Sequence, residues 1–127
     1  MTVLFKLPPQ ASNGDTLIVS AKPYRNVSLA PGDRVFLWWS EAQGGAGLVG
    51  YGTCLSTTST WDSVEAVVEP VRVRDAGFGF GRERLRPFRD VAEDTPEATL
   101  AKMLYKHSLN KVVQISPSEE AFLGELF

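Results

Sequence analysis

Trp38 and Trp39 stand side by side in a chain of 127 residues that holds three tryptophans in all. They close the run Val35-Phe36-Leu37-Trp38-Trp39-Ser40, whose β-branched and aromatic side chains mark a strand. Adjacent strand residues face opposite sides of a sheet, so the two indoles cannot share one core. One of them requires a second surface, a second core or a pocket, and any fold for this chain must supply it. Pro31-Gly32-Asp33 ahead of the run is a turn signal. Gly44-Gly45-Ala46-Gly47 turns the chain back, and Leu48–Leu55 returns as a second strand. Gly50 and Gly52 lie on one face of that strand. Their missing side chains leave room for a bulky neighbour or a ligand, or relieve crowding in a tightly curved small barrel.

The flanking segments extend the β pattern. Val3-Leu4-Phe5 reads as a short strand, and Thr16–Lys22 as a stronger one, with Leu17, Val19 and Ala21 on one face and Ile18, Ser20 and Lys22 on the other. Pro23–Ser28 reads as a loop in which Arg25 lies between Tyr24 and Asn26 at a strand end, where binding residues concentrate. Ser56–Ser63 reads as a polar loop with Trp61 in it, a ring that either caps the core or walls a pocket. From Ser63 to Arg74 the apolar alternation shifts by one residue after Pro70, which predicts a bulge or bend there. The last third turns helical. Thr95-Pro96-Glu97 is a helix start, Leu100, Met103 and Leu104 form an apolar stripe, and His107 near the helix end suits the dipole. Val112–Ile115 is a closing strand, and Ser116-Pro117-Ser118-Glu119 is a capping box ahead of a final helix.

The length is that of one domain, residues 1–127, and a hydrophobic content of 43% supports a real core. No apolar run approaches the roughly 20 residues that cross a bilayer, so no membrane association is expected. The N-terminus lacks the basic start and apolar stretch of a signal peptide, and a cytoplasmic protein is expected. Cys54 is the single cysteine, which excludes an internal disulfide and reads as a small core residue. A single histidine and no paired acidic motif argue against a metal site or a Ser-His-Asp triad. No cofactor, metal or catalytic residue is assigned, and a binding module is favoured over an enzyme. The net charge of −2 argues against strong non-specific binding to duplex nucleic acid. It leaves room for a local basic face: Arg72, Arg74, Arg82, Arg84, Arg86 and Arg89 face only Asp75 and Glu83 within their own run. Of these, Arg72, Arg74, Arg82 and Arg84 are the expected phosphate contacts. Aromatic walls with a few polar groups suit a flat base.

The hairpin Gly32-Asp33-Arg34-Val35-Phe36-Leu37-Trp38-Trp39-Ser40, followed by Gly47-Leu48-Val49-Gly50-Tyr51-Gly52-Thr53, resembles the core hairpin of EVE domains. These belong to the PUA-like superfamily, together with YTH and ASCH domains. The ending Leu109–Ser116, followed by a short helix, is similar to the family's ending. The resemblance covers about half the chain. It implies an α+β fold, a small mixed β-barrel with flanking, mainly C-terminal helices. It further implies a pocket for a modified nucleobase or nucleotide in DNA or RNA. Matched by position, Ser20, Ala21 and Lys22 would approach the ligand, Trp38 or Trp39 with Ser40 would form a second wall, and Trp61 would stand where YTH-like relatives place a cage aromatic. Trp39 and Trp61 are the expected stacking rings, Ser20, Ser40 and Asp62 the expected readers of the base edge, and Lys22 and Arg25 further phosphate contacts. The family's usual tryptophan in the first strand is missing here. The alternatives are an ASCH-like amide hydrolase acting on acylated nucleosides, with Lys22 at its centre, and a protein-interaction domain with exposed aromatics.

Overall fold

The computed structural model describes residues 1–10, 16–74, 76–105 and 110–127. The expectations for His107 and Asp75 lie outside the described residues. Strand β1 is Thr2–Leu7, β2 Leu17–Tyr24, β3 Arg34–Trp39, β4 Gly47–Ser59, β5 Val64–Val73 and β6 Lys111–Ile115. Together they close a barrel in the order β1-β3-β4-β5-β2-β6. The sheet is mixed: β1 runs parallel to β3 and β2 parallel to β6, while the other four pairings are antiparallel.

The barrel answers the tryptophan problem with two cores. Val3, Phe5, Leu7, Val19, Leu37 and Trp39 point into the barrel, where Cys54 also lies buried. Leu4, Phe36, Trp38 and Val113 point outward and are covered by Leu100, Leu104 and Leu123 from the helices. Trp38 and Trp39 are 0% and 1% exposed. Strands β1 and β3 are therefore buried on both faces and read as continuous apolar runs, whereas β2 begins with strict alternation of buried and exposed residues.

Among the described residues, three helices follow the barrel's fifth strand: α1 (Arg82–Leu85), α2 (Pro96–Tyr105) and α3 (Pro117–Gly124). Thr95 Oγ1 accepts the Ala98 amide at 3.2 Å, so the expected helix start is present. Ser116 and Glu119 form the reciprocal capping box of α3. No helix among the described residues is long and apolar enough to cross a membrane.

Three local expectations change. The Ser56–Ser63 loop is mostly strand: β4 continues to Ser59, and Ser56, Thr57, Thr58 and Ser59 pair with Val67, Ala66, Glu65 and Val64. β2 continues through Pro23 and Tyr24, which pair with Val112 and Val113 of β6. Of the two readings of Gly50 and Gly52, room for a ligand gives way and relief of crowding in a small barrel holds, because β5 lies against both glycines. A Cβ on Gly50 would sit 2.0 Å from the Arg72 carbonyl oxygen, and one on Gly52 would sit 2.3 Å from that of Glu69. The β4–β5 register shifts between Tyr51 and Gly52, leaving Val71 unpaired beside Pro70, where the alternation predicts a bulge.

Candidate functional site

Among the described residues, buried charge is concentrated around Lys6. It is the lone cation of β1 and shares the outward face with Leu4. In the β1–β3 register it lies opposite Trp38. At 3% exposure it is largely withdrawn from bulk water, and its Nζ donates to the Leu104 carbonyl at 2.6 Å. Lys111 lies beside it in the β1–β6 register and donates to the Met103 carbonyl at 2.6 Å. Both ammonium groups thus meet the carbonyl end of α2, where the helix dipole favours cations. Burial still lowers both lysines. For Lys6, Glu41 opposes the shift and Arg82 adds to it; Lys111, with Lys6 beside it, falls to about 8.

Glu41 opens a 3₁₀ turn (Glu41–Gln43) directly after β3. Gly44, in the left-handed region at φ 89°, ends the turn. The Glu41 carboxylate gathers three donors. Oε1 accepts the Trp38 indole N–H at 3.0 Å, and Oε2 accepts the Tyr105 hydroxyl at 2.8 Å and the Arg82 amide. One side chain thereby ties β3 to the start of α1 and the end of α2. Burial, then the Glu41 charge, pushes the Tyr105 phenol well above its usual range, so it stays a proton donor. Lys6 Nζ lies 4.6 Å from the centre of the Tyr105 ring.

Above this floor is a cleft of about 310 Å³ between Lys6, Glu41, Tyr105, Arg82, Arg86 and Arg89. The arginines come from α1 and from the 3₁₀ turn Arg86–Phe88 that follows it. Four cations face one carboxylate whose two oxygens already accept hydrogen bonds. Arg89 pairs with Asp90 at 3.5 Å, while Arg82 and Arg86 make no ion pair among the described residues. A second cavity of about 370 Å³ shares Glu41 and Arg82, adds Glu83 and Arg84, and is also lined by the small residues Gly45, Ala46, Gly79 and Gly81. Planar, always-charged guanidinium groups around a concavity suit an anion with several oxygens, such as phosphate. No cluster of three His, Cys, Asp or Glu side chains that could hold a metal occurs among the described residues.

The residues singled out from sequence are distributed unevenly around this site. Arg82 lines the cleft, and Arg84 lies over the Phe80 ring at 5.4 Å, lining the second cavity. Lys22 is exposed on β2, opposite Lys111 in register, which is in turn opposite Lys6. This places Lys22 two strands, or about 10 Å, from the buried lysine. Arg72 and Arg74 both cover Phe78, at 5.6 and 4.9 Å. Arg25 is exposed with φ at 62° and sits 5.2 Å from the Tyr24 ring. Ser20 Oγ lies 3.1 Å from Ser63 Oγ, and Asp62 accepts the Thr60 hydroxyl at 3.0 Å within its own turn. Ala21 faces the barrel interior.

Trp39 and Trp61 are not brought together: Trp39 is inside the barrel, and Trp61 is 92% exposed in the β4–β5 turn. Neither Trp38 nor Trp39 offers a face for stacking, and Ser40 is buried at 1% exposure. Lys6, Glu41 and Tyr105 escape a reading based on strand and helix periodicity. Their available signals are a lone lysine in an apolar strand, an acid just past the tryptophan pair and a tyrosine ending an apolar helix. No protein-family model, curated protein or solved structure matches this chain.

Proposed function

We propose that this protein is a non-enzymatic binding module for a nucleotide or nucleic acid, and that the cleft beside Glu41 receives a phosphate group. The observation that carries this reading is the convergence of Arg82, Arg86 and Arg89 with Lys6 on one concavity whose single carboxylate is already engaged. A closed mixed barrel with C-terminal helices is also the architecture that the EVE-type, PUA-like resemblance of the hairpin implies. That resemblance supports a modified base as the attached group. Trp61 is the tryptophan with a face open to stack on one.

The test is a titration of a fluorescein-labelled oligonucleotide at low, stated salt, with inorganic phosphate as competitor. Arg86→Ala with Arg89→Ala is expected to weaken binding by at least about tenfold, since hydrogen bonds to charged groups contribute roughly 1.5–3 kcal/mol each. Each phosphate engaged adds about −0.7 to the slope of log K against log salt for a single strand. Unchanged affinity in the double variant would overturn the assignment of the cleft.

A further inference from the structure

We infer that the partner is a single-stranded nucleic acid whose unpaired bases stack on guanidinium groups shelved on Phe78 and Phe80. This deepens the phosphate reading of the cleft and rests on it. Arg72 and Arg74 lie over one phenylalanine at 5.6 and 4.9 Å, and Arg84 over the other at 5.4 Å. All three arginines are exposed, and none makes an ion pair among the described residues. Each guanidinium carbon therefore lies within cation–π reach of a ring, and its charge is not neutralised by an ion pair among the described residues.

The two shelves are two residues apart on one backbone segment. Gly79 lies between them with φ at 73° and open space where its Cβ would be, so position 79 itself places no side chain there. The same segment continues through Gly81 into Arg82 at the cleft. A strand whose phosphate sits in the cleft can lay its next bases along these shelves. In a duplex the base faces are stacked on one another and cannot reach a guanidinium plane; in a single strand they can. An acidic peptide would use the charges and leave the planar faces idle.

The test compares fluorescence anisotropy of a labelled single strand of about 12 nucleotides, within the usual footprint of such domains, with that of a hairpin duplex of the same sequence. The proteins are the unaltered chain, the triple variant Arg72→Lys, Arg74→Lys, Arg84→Lys, and the double variant Arg86→Ala, Arg89→Ala. Lysine keeps the charge and removes the plane. The unaltered protein is expected to prefer the single strand by about tenfold, and the triple variant to lose about tenfold on the single strand with its salt slope kept. Equal affinity for single strand and duplex, full affinity in the triple variant, or equal competition by a polyglutamate peptide would overturn the stacking inference. The phosphate reading would then still stand if the double variant loses binding. No binding of any oligonucleotide, or full binding by the double variant, overturns both.

Discussion

Replacing Glu41 should separate stability from ligand affinity, because the same carboxylate holds the fold and opposes anions. Glu41→Ala leaves the Trp38 indole N–H, fully buried, without its acceptor at 3.0 Å. A stranded buried donor costs about 1–3 kcal/mol. The half-buried Tyr105 hydroxyl loses a 2.8 Å bond and adds about 1 kcal/mol. The Arg82 amide is exposed, so water replaces the carboxylate there at little cost. Lys6, 3% exposed, loses the negative charge that offsets its burial. The sum is about 2–4 kcal/mol of lost stability, read as a shift in the urea midpoint followed by tryptophan fluorescence. Glu41→Gln, which keeps one acceptor oxygen, should lose about half of that. The same Gln variant removes the one negative charge from the cleft, and even at the dielectric of bulk water this favours a phosphate bound about 4 Å away by about 1 kcal/mol, or about fivefold in affinity. A loss below about 1 kcal/mol in Glu41→Ala, or weaker phosphate binding in Glu41→Gln, would refute the role given to this carboxylate.

Burial lowers Lys111 to about 8 in the fold from 10.5, so between about pH 8 and 10.5 the folded state binds fewer protons and stability rises with pH. The difference in urea midpoint between the unaltered protein and Lys111→Met should therefore move toward the unaltered protein from pH 7 to pH 9; a constant difference would contradict it. Gly50→Ala places a methyl group against the Arg72 carbonyl at φ 153° and should cost well over 1 kcal/mol, whereas Gly44→Asn, at φ 89° with open space around it, meets backbone strain alone and should cost less; thermal melts of both distinguish the two. Trp61→Phe should leave the melting temperature unchanged and remove most acrylamide quenching of tryptophan emission, since Trp38 and Trp39 are enclosed. Ser116→Ala should cost about 1 kcal/mol through loss of the α3 cap, measurable in the same urea series.

Much of the barrel is legible in the residues because alternation is a backbone property. The adjacent tryptophans demand two apolar compartments, and the fold provides a barrel interior for Trp39 and a helix-covered layer for Trp38. The shift at Pro70 and both helix caps are equally local. What hides is whatever depends on neighbours distant in sequence. The serine and threonine run of β4 looks like a loop because its strand character comes from pairing with β5. Gly50 and Gly52 fit either an open space or a crowded barrel wall until β5 is laid beside them and shows the second. The cleft hides most completely: its residues come from β1, the turn after β3, α1 and its neighbour, and the end of α2. Only barrel closure and helix docking bring them together. The arginine run shows cationic character in advance, but not which of its members share a concavity.

Closure itself has a consequence for how the chain folds. The last strand, β6, joins the first two, pairing antiparallel with β1 and parallel with β2. Before it docks, β1 and β2 are both exposed edges, and β1 is an apolar strip that readily pairs with other chains. The pairing of Thr2 with Ile115 spans almost the whole sequence. Contacts of that separation form late and make folding slow for a domain of this size. A nascent chain that stalls before Lys111 is synthesised would carry an unsealed sheet. Solubility during synthesis should therefore depend on β6 far more than its five residues suggest.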